Sequence, residues 1–257
     1  MNRILLPIYV ITLRDLKKFF RQRSRLIGMI ARPLTWLLLI GTGLNQIIKG
    51  GLGISYIQFI LPGILGMTIL FSAMFSSISI VWDREFGFMK EILVAPVTRI
   101  SIAFGKIVSG MLVSTIQGII IMIAAPFIGI RFTVFEAFLL VVFVMIVSMC
   151  ISAIGVFIAS MIKSFESFNI IMNFIVMPMF FLSGAMYPIN VLPRFMRYLM
   201  YLNPLSYGID SFKHIMFVEF HHFHSDFSML CDIVLMTVFT IGSTILAAVA
   251  FNRQQKD

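Results

Sequence analysis

Apolar residues run through this chain in blocks about the length of a membrane span, separated by short charged or Pro-rich stretches. Residues 50–82 hold thirty-three positions without a charge. A hydrocarbon core about 30 Å thick takes roughly 20 residues of helix. By that measure spans are expected at about 26–48, 57–82, 102–128, 134–162, 168–181 and 229–251, each uncharged through its middle.

The first twenty-five residues follow another rhythm. Leu5, Tyr9, Leu13, Leu16 and Phe20 recur every three or four positions, while Arg14, Lys18, Arg21 and Arg25 make a second stripe about 100° away. Residues 1–25 therefore read as an amphipathic helix on a membrane surface. Its basic face suits anionic headgroups, a protein partner, or the bare enforcement of topology. Seven Lys/Arg scattered among the apolar positions also set it apart from a cleavable signal.

Composition agrees with this pattern. The chain is 60% hydrophobic and 12% charged, with a mean hydropathy of +1.01, whereas soluble domains carry about 25% charged residues. The class is an all-α integral membrane protein. Its net charge of +9 does not indicate nucleic acid, because the basic residues gather beside spans and form no groove. Counted on alternate sides of six spans, fifteen of the twenty Lys/Arg fall on the N-terminal side, which places both termini in the cytoplasm. Cys150 and Cys231 show no metal-type spacing.

One charged interruption, "REFGFMKEILVAPVTR" at 84–99, carries two signs of charge. On a helical wheel Phe86, Met89 and Leu93 share a stripe, Arg84 and Glu91 point the other way, Glu85 and Lys90 flank it, and Pro96 ends the pattern. A cytoplasmic amphipathic helix at about 84–98 fits, with a solvated loop as the alternative, since Gly87 weakens the helix. The chain has no Gly-x-x-x-x-Gly-Lys-Ser/Thr loop to cradle phosphates. Such a helix is suited to dock on a separate ATPase.

A second interruption covers 187–214. Pro188, Pro193 and Pro204 break the helix there, and Arg194, Arg197, Asp210 and Lys213 bring charge, yet Phe195, Tyr198, Leu199 and Leu202 keep an apolar stripe. Pro193 reads as a first helical residue and Asn203-Pro204 as a stop. Broken backbone at membrane depth has to be buried in protein or line a cavity. The expectation is a re-entrant pair of short helices before the last span; the ordinary alternative is an interfacial aromatic belt.

These two segments, the first with Glu85, Gly87, Glu91 and Pro96, the second as "FFLSGAMYPINVLPRFMRYLMYLNPLSYGIDSFKHI" at 180–215, resemble the signatures of the ABC-2 family of ATP-binding-cassette exporter permeases. The likeness is greatest to its daunorubicin-resistance and nodulation-factor export branch. It implies a single six-span transmembrane domain at 26–257 in the bacterial inner membrane, acting as a homodimer that exports an amphipathic or lipid-linked compound, multidrug substrates included. It also implies that Arg84, Glu85, Gly87, Lys90, Glu91 and Pro96 couple to a nucleotide-binding subunit, which would hold the ATP and Mg. This chain would bind no cofactor of its own. Ser183, Gly184, Pro188, Pro193, Asn203 and Pro204 become a candidate exit gate.

Other polar positions are open to ordinary uses. Asn169 and Asn173 share a helical face and rank first, ahead of Asn45, Gln46 and Gln117, for lining a path, although interhelical hydrogen bonding is the common role of such amides. Nineteen methionines and 27 phenylalanines suit a pliable route for amphiphiles or a plain lipid-facing surface. His221, His222 and His224 have no partner at zinc spacing, so no metal site is expected. Ser109-Gly110 and Ser183-Gly184 lack an intramembrane histidine base. Two rival classes, a membrane-embedded enzyme and an ion-coupled carrier, need convergent ionisable groups at one bilayer depth, and none of the eleven acidic residues falls in mid-span.

Overall fold

The computed structural model describes residues 4–45, 55–89, 97–162, 164–189, 192–218 and 225–254. Among them every regular element is helical: α1 (Leu5–Arg21), α2 (Arg23–Asn45), α3 (Tyr56–Glu85), α4 (Arg99–Met122), a short 3-10 turn (Pro126–Ile128), α5 (Val134–Met161), α6 (Phe165–Phe181), α7 (Arg194–Tyr201), α8 (Pro204–Met216) and α9 (Met229–Gln254). Four of these, α3, α4, α5 and α9, are long and apolar enough to cross a membrane. α2 spans 23 residues but carries Arg32, Pro33 and Thr35. α6 has only 17, about 25 Å of rise.

α3 is the axle of the bundle. It packs against α2, α4, α5, α6 and α8, and Phe59, Ile64, Leu65, Ile69, Leu70, Ala73 and Met74 along it are fully buried. α9 lies at the periphery against α4, α5 and α8, with Leu230, Val238, Ile241 and Leu246 exposed, as a lipid-facing helix would be. Helix starts are set locally. Thr98 caps α4 through the Ser101 amide, Thr133 and Glu136 form a reciprocal capping box on α5, and Ser164 caps α6 through Ser167. Each satisfies amide groups that the first turn leaves orphaned.

Several expectations are corrected. The N-terminal helix ends at Arg21, where Gln22 breaks the backbone, so Arg25 belongs to α2. The face by which α1 joins the bundle is a separate one from the apolar stripe read for a membrane surface. Ile11, Thr12 and Phe19 are buried while Leu5, Tyr9 and Phe20 are exposed, because α1 lies on α4, where the small Gly105 admits Ile11. α3 extends through Arg84 and Glu85, so no separate helix starts at 84. Gly87, at φ +81, makes the turn, and helix resumes at Phe88 and Met89. Phe86 is exposed although Met89 is buried, so the predicted stripe is split across that turn. Lys90, Glu91, Leu93 and Pro96 lie outside the described residues.

Two turns into α3, Gly63 lets the 183–185 turn approach, since a Cβ there would stand 2.5 Å from the Ala185 carbonyl oxygen. Gly63→Ala gains roughly 1 kcal/mol of helix propensity but forces an overpacked contact costing about 1–3 kcal/mol. It should lower the melting temperature in detergent, whereas Gly242→Ala in α9, with nothing within 4 Å, should raise it or leave it unchanged.

Candidate functional site

One end of the bundle gathers the end of α3, the starts of α4 and α6, and the end of α9. Here Lys106 of α4, only 1% exposed, donates to Asp15 Oδ2 at 3.1 Å and Asp83 Oδ2 at 2.8 Å, and to Ser79 Oγ at 3.0 Å. Arg14 Nη2 reaches the same Asp83 oxygen at 2.7 Å. Burial works against the Arg14 charge, but Asp15 and Asp83 outweigh it and hold the guanidinium above its ordinary value. Two carboxylates and two cations thus cancel, and they fasten α1 to α3 and α4. Thr12 Oγ1 adds a bond to the Gly105 carbonyl at 3.3 Å.

The next residue in α3 has a different task. Arg84 donates to the carbonyl oxygens of Ile162 at 2.7 Å and Ser160 at 3.1 Å, so it closes the C-terminal end of α5, where carbonyls are orphaned and a cation is favoured. Arg84 therefore faces the bundle. Glu85, Phe86 and Phe88 are the exposed groups of this corner. Arg99 Nη1, at the start of α4, donates to the Asn252 carbonyl at 3.2 Å and ties α9 to the same end.

A cavity of about 380 Å³ opens beside this corner, between α2, α3, α4 and α6. Its walls include Arg32, Phe71, Phe75, Trp82, Gln117 and Asn169. Arg32 lies 5.9 Å from the Phe71 ring centre. Trp82 stacks on Phe165 at 6.1 Å and carries Lys18 over its other face at 5.0 Å. A half-open, mostly apolar cavity with a few placed polar groups is the usual form of a small-molecule site. Asn169 lines it while donating to the Phe165 carbonyl of its own helix at 3.1 Å. Asn173 is exposed outside it, so the shared face of these two residues is not bundle interior.

The opposite end carries the broken segment as two short helices, α7 and α8. Asn203 is their hinge: its side chain accepts from the Leu205 amide at 3.1 Å and donates to the carbonyls of Met179 at 2.7 Å and Leu182 at 2.8 Å. Pro204 takes the first helical position of α8, where its missing amide hydrogen is no loss. Pro193 is the residue before α7, one earlier than expected. Ser183 is buried and donates to the Phe180 carbonyl at 2.5 Å, and Gly184 turns the chain at φ +71. Pro188 is half-buried. The stripe of Phe195, Tyr198, Leu199 and Leu202 is exposed.

The sequence profile of ABC-2 type transporters matches residues 7–217. The chain belongs to the ABC-2 type transporter family. Its relatives are transport permeases: a putative transport permease ycf38 of Cyanophora paradoxa is 27% identical over 251 residues, covering 95% of this chain and 84% of that one. The inner membrane transport permease YadH of Escherichia coli K12 is 30% identical over 204 residues, covering 77% and 73%. Nodulation protein J of Rhizobium meliloti is 26% identical over 195, covering 75% and 74%.

Within this ABC-2 permease the structure brings Ser183, Gly184, Asn203 and Pro204 together at one end and Arg84, Glu85 and Gly87 at the other, with Asn169 on the cavity between. Sequence reasoning missed the buried Lys106–Asp15–Asp83 network, whose members lie 91 and 23 residues from Lys106. Its one legible signal was a lysine just inside the start of one expected span and an aspartate just past the end of another. Removing one partner of a buried pair strands the other charge and costs about 3–5 kcal/mol. Lys106→Met should therefore lower the melting temperature strongly, and adding Asp83→Asn to it should recover part of the loss, as a double-mutant cycle in detergent will show.

Proposed function

We propose that this chain is the transmembrane subunit of an exporter that moves an amphipathic or lipid-linked compound outward, driven by ATP hydrolysed on a separate cassette subunit. Six spans, α2, α3, α4, α5, α6 and α9, carry the work, with both termini in the cytoplasm. α1 lies along the inner surface, and two copies face each other. The single observation that carries the reading is the half-open cavity walled by α2, α3 and α6. It is apolar over most of its lining, with four aromatic rings, one cation and two amides, and lies next to the corner from which the 84–98 segment departs. An amphiphile has the matching character: an apolar body for Phe71, Phe75 and Trp82, and a polar end for Arg32, Gln117 and Asn169.

Further support comes from the asymmetry of charge, with fifteen of twenty basic residues on the side given to the cytoplasm. The exposed faces of α6, with Ile170 and Phe174, and of α2, with Leu38 and Leu39, border the open side of the cavity. A second copy placed there would turn two cavities into one path. On this reading Glu85, Lys90, Glu91 and Pro96 meet the ATPase, with Gly87 as their pivot. α7, α8 and the 183–188 turn form the outer gate. The relatives' names as transport permeases agree with it.

Affinity purification of the chain from its native membrane in mild detergent tests the reading, with identification of whatever co-purifies and ATPase assays in proteoliposomes. A cassette ATPase should accompany it. Glu91→Ala should leave expression and melting temperature unchanged and reduce ATP hydrolysis by the complex severalfold. Purification without any nucleotide hydrolase, or transport by the chain alone in vesicles, would overturn it.

A further inference from the structure

Beneath the turn that joins α8 to α9 lies a second buried cluster of charge, and unlike the first it does not balance. Lys213 donates to Asp226 Oδ2 at 2.9 Å, and the Ile189 amide donates to Asp226 Oδ1 at 3.0 Å, so that pair is closed. Asp210 accepts the amides of Asp226 at 2.9 Å and Phe227 at 2.8 Å. Asp232, in the first turn of α9, is fully buried, and neither of its oxygens has a hydrogen-bond partner. Two carboxylates are left without a countercharge.

His214 stands between them. It lies one helical turn beyond Asp210 on the same face of α8, with Nε2 3.7 Å from Asp210 Oδ2 and 3.6 Å from Asp232 Oδ2. Ser225 Oγ donates to the Phe227 carbonyl at 3.1 Å, which uses its only hydrogen. Its 3.2 Å contact with His214 Nδ1 gives Nδ1 an acceptor for the imidazole proton whenever Nε2 binds an ion instead. Nε2 faces three oxygens: the Phe227 carbonyl at 3.0 Å, which accepts from it when Nε2 carries the proton, and the two carboxylates. A proton on Nε2 would reach the carbonyl and leave Asp232 unanswered, because 3.6 Å is too long for a hydrogen bond. An ion at the centre answers all of them. Separations of 3.6 and 3.7 Å are close to the roughly 3.3 Å between ligands that each lie about 2.0 Å from one tetrahedral ion.

From this arrangement we propose that Asp210, His214 and Asp232 form a binding site for a first-row divalent cation of the zinc type. One ligand atom from each residue lies within 4.8 Å of the others. Two carboxylates and a neutral imidazole supply two negative charges against a 2+ ion, and the imidazole selects a transition metal over calcium or magnesium. The Nδ1–Ser225 bond and the amide bonds to Asp210 are the outer partners that orient such ligands. His214 keeps 24% of its side chain exposed and gives the ion a way in. Bound there, the ion pins α8 to α9 and stiffens the segment behind the proposed outer gate.

The test uses the full-length chain in detergent, on a His221→Ala, His222→Ala, His224→Ala background and an affinity tag without histidine, so that Zn2+ has no histidine-rich loop to occupy. Zn2+ binding is measured by competition with a chromophoric chelator, and melting temperature is recorded with and without Zn2+. One equivalent should bind and raise the melting temperature. Asp232→Asn and His214→Gln should each weaken binding by more than about tenfold and abolish the rise, while metal-free Asp232→Asn melts no lower than its parent. Where Asp232→Asn does not fold, the more exposed His214→Gln carries the comparison. Absence of micromolar binding in the parent overturns the site, as does equal binding by the variants. A melting temperature that follows pH and ignores Zn2+ assigns the pocket to protons and overturns it too.

Discussion

A lysine buried to 1% in an apolar bundle has to have its charge answered from within the protein, and Lys106 decides how one end of this permease is built. Its position on α4 requires carboxylates from two other helices, Asp15 and Asp83, and Asp83 in turn holds Arg14. The desolvation cost of burying Lys106, Asp15 and Asp83 is recovered only if geometry is close and lone pairs are filled, and here Ser79 fills the remaining direction. The N-terminal helix α1, which hydrophobic contact would leave free to slide, is thereby fixed in register against the bundle. The same demand, that lipid provides no hydrogen-bond partner, explains why Arg84 serves α5 carbonyls and why Asn203 donates both amide hydrogens to the end of α6. Each broken helix end is closed by one long side chain from elsewhere in the chain.

The two ends solve this demand differently. At the first, two aspartates face an arginine and a lysine, and the sum is neutral without help. At the second, Asp210, Asp226 and Asp232 face Lys213 alone, with His214 as the swing member. A balanced network is a fastener. An unbalanced one has to recruit a proton or an ion, so its stiffness depends on what surrounds it, which suits a segment that opens and closes better than one that transmits force.

The apolar blocks were legible in the sequence because helix length is set by bilayer thickness, and the ends of α3, α4, α5 and α9 fall close to where the runs of charge-free residues stop. The break at Asn203-Pro204 was legible as a helix stop, and the same two residues also start α8, with Asn203 as its cap and Pro204 in its first position. What escaped is whatever depends on which face of a helix meets which neighbour. The stripe of Leu5, Tyr9 and Phe20 read as the apolar face of a surface helix, but nothing in its period shows that α1 packs through Ile11, Thr12 and Phe19, because the groove at Gly105 admits Ile11 and the charges at Arg14 and Asp15 must reach Lys106. The segment beginning at Arg84 read as one helix because periodicity does not register that Gly87 adopts a left-handed turn. Asp232 and His214 looked unrelated, being eighteen residues apart across a chain reversal that no local pattern encodes.

Three successive residues at the end of α3 point in three directions about 100° apart, and each is engaged. Trp82 forms a wall of the cavity and stacks on Phe165, Asp83 enters the Lys106 network, and Arg84 closes α5. The last turn of α3 therefore has no face on which it can rotate without breaking something. In the proposed exporter the segment just beyond Gly87 receives the stroke of the ATPase. A push there is resisted at three anchors in the turn, whereas Gly87 itself, with nothing within 4 Å of where a Cβ would stand, is free to pivot. The displacement has to pass to α1 through Asp83, to α5 through Arg84, and to the cavity through Trp82. The residue that moves the wall of the path is thus covalently adjacent to the residue that holds α1, and the two cannot be driven independently.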